Sequence, residues 1–132
     1  MSAPIDLLQR VPLFQGLERG QLETLARSFK DRTFSAGQTV TSEGSGGVGF
    51  FVIEDGSATV SIGGEERRKL GAGDYFGELA LIDDSPRSAT IVADTDLKCW
   101  GLTSWEFRPL VESNASIAWS MLQTMAQRLR EA

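Results

Sequence analysis

A mainly β fold with flanking helices, of sandwich, barrel or jelly-roll type, is predicted by three features of this 132-residue sequence. Short β-prone runs recur at nearly even spacing through its middle. Clusters rich in glycine, aspartate and serine separate them, and helical periodicity is confined to the two ends.

The β-prone runs are Thr39-Val40-Thr41, Phe50-Phe51-Val52-Ile53, Ala58-Thr59-Val60-Ser61-Ile62, Thr90-Ile91-Val92 and Leu97 to Leu102. Between them stand Ser35-Ala36-Gly37, Glu54-Asp55-Gly56, Gly63-Gly64 and Gly71-Ala72-Gly73-Asp74, where glycine supplies backbone angles that other residues avoid. Cys99 alternates with Leu97 and Gly101, the pattern of a packed core thiol.

At the start, Ile5 to Arg10 reads as a short helical turn closed by Pro12, whose ring disfavours helix at Val11. Leu22, Leu25, Ala26 and Phe29 then fall at i, i+3, i+4 and i+7, which predicts a helix over Glu18 to Phe29 with Glu23, Arg27 and Lys30 toward solvent. Beyond Leu102, Thr103 and Glu106 have the spacing of a capping box, and Pro109 predicts a kink or break. A longer helix from about Ser116 to Glu131 follows. Its apolar residues spread over ~200°, wider than the ~100° stripe of a single packed face, so two faces are expected to be occupied. Trp100 and Trp105 are expected in the core, and Trp119 in core or dimer packing. With no internal repeat, low-complexity tract or linker, residues 1–132 are expected to form one domain, with helices over about 4–30, the β unit over about 31–102 and C-terminal helices over about 104–131.

Composition removes several functions. Hydrophobic residues make up 41% and charged residues 23%, as in ordinary soluble domains. A net charge of −5 opposes a nucleic-acid-binding surface, so no nucleic acid contact is expected of this chain alone. No apolar run approaches the roughly 20 residues of a membrane span, and the first residues lack the basic and apolar regions of a secretory signal. A cytoplasmic location is expected, with no membrane contact; the single cysteine agrees with a reducing compartment. Histidine is absent, which rules out His-ligated metals, Ser-His triads and imidazole acid–base chemistry. No acidic cluster has metal-ligand spacing, and neither catalysis nor a cofactor is expected.

One segment carries chemistry. Phe76-Gly77-Glu78-Leu79-Ala80-Leu81 interrupts the β texture with helix formers opened by glycine. A helix start leaves backbone N–H groups unpaired, and glycine lets an anion come close to them. Pro86-Arg87 then leads into the next strand, where a guanidinium can give two parallel charge-assisted hydrogen bonds to a phosphate. Glu78 is an acceptor suited to a sugar hydroxyl. A lone glutamate or arginine is usually a solvated surface charge; it is their order within a β framework that points to phosphate plus ribose.

Phe76-Gly77-Glu78-Leu79-Ala80-Leu81 followed by Pro86-Arg87-Ser88-Ala89-Thr90 resembles the phosphate-binding cassette of the cyclic-nucleotide-binding domain family, which includes protein kinase regulatory subunits, bacterial catabolite activators and nucleotide-gated channels. The likeness runs from Leu7-Leu8-Gln9-Arg10-Val11-Pro12-Leu13-Phe14 through Ala36-Gly37, Glu54-Asp55-Gly56 and Gly71-Ala72-Gly73-Asp74 to the final helix. It implies a double-stranded β-roll between N-terminal helices and a C-terminal helix. It places Glu78 on the ribose 2′-hydroxyl, Arg87 on the cyclic phosphate, and the backbone of Gly77, Leu79, Ala80, Ser88 and Ala89 nearby. Val60 and Leu70 match pocket-lining positions, although plain β-core packing explains them equally well.

The residue after the arginine is often alanine at the kinases' cyclic AMP sites and threonine at cyclic GMP sites. Ser88 is intermediate and also matches the catabolite activators, so cyclic AMP is expected ahead of cyclic GMP. The resemblance further implies that ligand capture moves the last helix through a hinge around Ser104 to Glu112. Three roles compete on these residues: a cyclic-nucleotide module acting through a homodimer or an effector protein in trans, a ligand-free roll serving as a dimerisation or interaction scaffold, and an enzymatic cupin-type jelly roll. The last lacks its histidines.

Overall fold

The computed structural model describes residues 2–41, 49–77, 81–82 and 89–131. Two four-stranded antiparallel sheets form a roll. One has the order β1 (Lys30–Phe34), β8 (Leu97–Leu102), β3 (Phe50–Asp55), β6 (Tyr75–Phe76); the other has β2 (Thr39–Thr41), β7 (Thr90–Ala93), β4 (Ala58–Ile62), β5 (Glu65–Leu70). Helices α1 (Ile5–Leu8) and α2 (Arg19–Ala26), with a 3-10 turn at Pro12–Phe14 between them, precede the roll, and α3 (Ser104–Ser113) and α4 (Ala115–Glu131) follow it.

The uninterrupted apolar run of β3 has a simple cause: both of its faces are covered. Phe50 and Val52 enter a cluster with the helices, while Phe51 and Ile53 face the interior of the roll. β8 divides in the same way, Trp100 and Leu102 toward the helices and Leu97 and Cys99 inward. Phe14, Phe29 and Phe50 meet edge to face, with ring centroids 5.7 to 6.4 Å apart, and join the N-terminal elements to the sheet. Cys99 is the core thiol its alternation predicted; burial pushes its pKa up to about 12, so it stays protonated and unreactive at neutral pH.

Four expectations are corrected. The helix predicted over Glu18 to Phe29 ends at Ala26, because the Ser28 and Phe29 N–H groups bond the carbonyls of Leu25 and Ala26 and tighten the chain into β1. Pro109 lies inside α3 without breaking it; the interruption falls at Asn114, whose φ of −133° leaves the helical region and whose Nδ2 donates to the Leu110 carbonyl at 2.8 Å. Trp105 is not core but 64% exposed, since it lies on the outer side of α3 from the buried Phe107. Trp119 is likewise 62% exposed on α4, whose inner side packs through Ile117 and Met121, so its core reading fails. Trp100 is buried as expected and donates from Nε1 to Glu54 Oε1 at 2.8 Å.

The Thr103–Glu106 capping box is present: Glu106 Oε1 accepts from the Thr103 N–H at 3.2 Å and from its hydroxyl at 2.6 Å. Glu106 also pairs with Lys30, tying the start of α3 to β1. No helix among the described residues is long and apolar enough to cross a membrane.

Candidate functional site

A cavity of about 370 Å³ opens in the roll, within the usual range of small-ligand sites. Val60 from β4 and Leu70 from β5 form an apolar wall, 7% and 4% exposed, with Ile91 of β7 beside them. Val60 faces Ile91 and Arg68 in register, and Ala58 faces Leu70, so antiparallel pairing places these side chains on one concave face.

Gly77 and Ala89 also wall this cavity. Twelve positions apart in the sequence, they bracket the segment singled out for phosphate binding, so both ends of that segment open on the same space. Gly77 has φ of +84°, a left-handed conformation that favours glycine and lets the chain turn out of β6. Glu78, Leu79, Ala80, Arg87 and Ser88 lie outside the described residues, as do the intervening loop and most of the predicted helical turn. Of the nine residues proposed from the sequence, Gly77, Ala89, Val60 and Leu70 thus meet around one cavity.

Sequence reasoning missed Tyr75, Thr41, Asp74 and Arg68 in the wall. Thr41 is 8% exposed, and its hydroxyl donates to the Ala89 carbonyl at 3.4 Å, fastening β2 to the point where the cassette rejoins the sheet. Asp74 accepts the Gly71 N–H on Oδ2 at 2.7 Å and closes the turn before β6, which is pinned to β3 through Gly73 N to Ile53 O and Ile53 N to Asp74 O, each 2.8 Å. Arg68 reaches the cavity from the charged strand β5. Only the Gly71-Ala72-Gly73-Asp74 turn carried a signal for any of these.

A larger hollow of about 580 Å³ lies elsewhere, between α3 and α4, walled by Trp105, Val111, Leu122 and Met125 together with Leu81 and Ile82. Its lining is mainly apolar, and the one cation among its described residues, Arg108, is turned toward Glu112 at 3.5 Å. The smaller cavity, with the glycine turn and the cassette ends, is the candidate for an anionic ligand. Among the described residues no group of three or more Cys, Asp or Glu is arranged to hold a metal ion.

The fold is a two-sheet roll whose cavity is walled in part by Gly77. The cyclic nucleotide-binding domain model matches residues 31–114. The chain belongs to that family. A cAMP-dependent protein kinase regulatory subunit from Colletotrichum orbiculare is 39% identical over 108 residues, 80% of this chain and 28% of that subunit. The chain spans about a quarter to a third of the length of the curated relatives it matches. In structure it is similar to the N-terminal domain of a transcriptional regulator from Streptomyces coelicolor A3(2), with a TM-score of 0.85 and 32% identity over 96% of this chain and 91% of that one. The regulatory domain of Toxoplasma gondii PKA, crystallised with cAMP, gives a TM-score of 0.75 and 27% identity over 97% of this chain and 49% of that one.

Proposed function

We propose that residues 1–132 act as one regulatory module that binds cyclic AMP in preference to cyclic GMP and passes its occupancy to α4. The observation that carries this reading is the convergence of Gly77, Ala89, Val60 and Leu70 on one cavity. In it, Arg87 holds the cyclic phosphate with two charge-assisted hydrogen bonds, and backbone amides from Gly77 through Ala80 and at Ser88 and Ala89 complete the anion site. Glu78 takes the ribose 2′-hydroxyl, and the base lies against Val60 and Leu70. The preference for cyclic AMP rests on Ser88, which matches the catabolite activators, and on the likeness to a kinase domain crystallised with cAMP.

Coupling has a physical route. Leu81 follows Gly77 by four positions, yet it is buried in the helix-side cluster and walls the α3–α4 hollow with Ile82. A ligand that draws in the cassette therefore pulls on side chains packed against α3 and α4. It shifts their positions only as far as it binds one arrangement more tightly than the other. The segment Ser104 to Glu112, nearly all of α3, is the hinge in this reading.

The exposed apolar side of α4, with Trp119, Leu122 and Leu129, supports output through a homodimer or an effector protein in trans. The same surface suits the scaffold reading, in which no ligand is bound. In this reading the module works in the cytoplasm.

Calorimetry decides between the readings. Arg87→Ala is expected to weaken cyclic AMP binding about 10- to 100-fold, the loss of charge-assisted hydrogen bonds worth about 1.5–3 kcal/mol. Unchanged affinity in the folded variant rejects the assignment. If no cyclic nucleotide at millimolar concentration raises the melting temperature of the natural sequence, the scaffold reading replaces it.

A further inference from the structure

Arg10 does not line the cavity, yet it covers a turn that builds one side of it. The turn from Gly71 to Asp74 is closed by the Gly71 N–H on Asp74 Oδ2 at 2.7 Å and the Asp74 N–H on the Gly71 carbonyl at 3.0 Å. It feeds β6, a strand of two residues at the border of its sheet, paired with β3. Asp74, Tyr75, Phe76 and Gly77 then wall the cavity in succession. Gly73 has φ of +90°, and a Cβ built on it would collide with Arg10 Nη1 and lie 3.2 Å from Cζ and 3.3 Å from Cδ. The guanidinium therefore rests directly on the backbone of the turn, in space that only glycine leaves.

The residues around Arg10 explain its placement. Leu8 and Val11 are wholly buried, so the Arg10 backbone between them is fixed on the core, with its N–H on the Leu7 carbonyl at 3.3 Å. Its side chain is exposed and forms no ion pair among the described residues. Asp6 and Glu54 border the same small hollow, but Glu54 is taken by Lys98 and the Trp100 indole, each at 2.8 Å. Resting on the cyclic-nucleotide reading, we propose that Arg10 is a positioning residue for the nucleotide site: lying on Gly73, it holds the turn that sets Asp74, β6 and Gly77 at the cavity. Two glycines give this turn wide backbone freedom, which a ligand would otherwise have to restrict at a cost in affinity. Arg10 supplies that restriction in advance.

Arg10 is exposed, so Arg10→Ala is expected to fold. Calorimetric titration at low and high salt, with hydrogen exchange of the ligand-free protein, gives the test. Arg10→Ala is expected to weaken cyclic AMP and cyclic GMP binding alike, by about 3- to 10-fold, because ordering the turn is then left to the ligand. The loss should persist at high salt, where attraction between an exposed charge and a distant phosphate is screened. Without ligand, the amides of Gly71 to Gly77 should exchange faster while those of β7 and β8 keep their rates. Three affinity results overturn the proposal: no change, a loss that disappears at high salt, or a loss matched by Arg19→Ala, which removes the same charge from the start of α2. Faster exchange spread evenly over the chain would mean a general loss of stability and overturns it too. Failure of the natural sequence to bind either nucleotide removes the ligand reading itself, while the exchange pattern, measured without ligand, still reports whether Arg10 holds the turn.

Discussion

The cavity in the roll and the hollow between α3 and α4 differ in what surrounds them more than in size. The hollow is the larger, about 580 Å³ against 370 Å³, yet its walls are mainly half-buried or exposed helix side chains with few polar groups. The cavity is walled by strand residues held on a paired sheet, with a glycine turn and polar side chains at its mouth. Volume alone would have chosen the hollow. An anionic ligand is held by fixed donors, and the sheet supplies the rigidity that keeps such donors in place. The hollow has the opposite character, suited to helices that change position.

The sharpest contrast concerns what the two walls contribute to stability. Ile91, 5% exposed in the cavity wall, also belongs to the core between the sheets, so Ile91→Ala is expected to cost about 2–4 kcal/mol in denaturant unfolding. A smaller loss is expected where α3 begins. Thr103→Ala removes the capping hydroxyl, costing about 1 kcal/mol, which thermal melting reads as a drop of roughly 3–5 °C.

A modest pH effect arises at the same place. Partial burial raises the Glu106 pKa, but hydrogen bonds from Lys30 and Thr103 outweigh it and hold the carboxyl below its ordinary value. Its contribution is therefore complete above about pH 4.3, the unfolded value, and is lost as pH falls through the lower folded one. Glu106→Gln is expected to flatten the decline of melting temperature on acidification below that point. The smallest effect is expected at the hollow: Leu122 is 56% exposed, and Leu122→Ala should change stability by no more than about 0.5 kcal/mol and leave cyclic AMP affinity within about twofold. A loss comparable to that of Ile91→Ala would erase the distinction between the two walls.

How far the sequence reveals this molecule follows from where each signal originates. β3 and β8 were legible because their side chains are mostly buried and therefore apolar, and β4 because buried Ala58 and Val60 alternate with half-buried Thr59 and Ser61. β1, Lys-Asp-Arg-Thr-Phe, and β5, Glu-Glu-Arg-Arg-Lys-Leu, were not: they border their sheets, all but the last residue of each is exposed, and only pairing with β8 and β4 makes them strands. β6, two residues long, is too short to show a period. Trp105 and Trp119 looked like core because their type usually is; which side of a helix meets the protein depends on tertiary packing. At the site, Gly77 and Ala89 were found through a local motif. Thr41 and Arg68 reach the cavity only through cross-strand register, which no local pattern encodes, while Asp74 showed only through its glycine turn.

In the proposed complex a cyclic nucleotide occupies the cavity against Val60 and Leu70. Val60→Trp fills that space from a strand facing it and leaves the α3–α4 hollow untouched. Calorimetric titration with cyclic AMP is expected to give saturable one-to-one binding to the natural sequence and a loss of more than about 100-fold, about 2.7 kcal/mol, in the folded variant. Full affinity retained in Val60→Trp would place the ligand elsewhere and contradict the account.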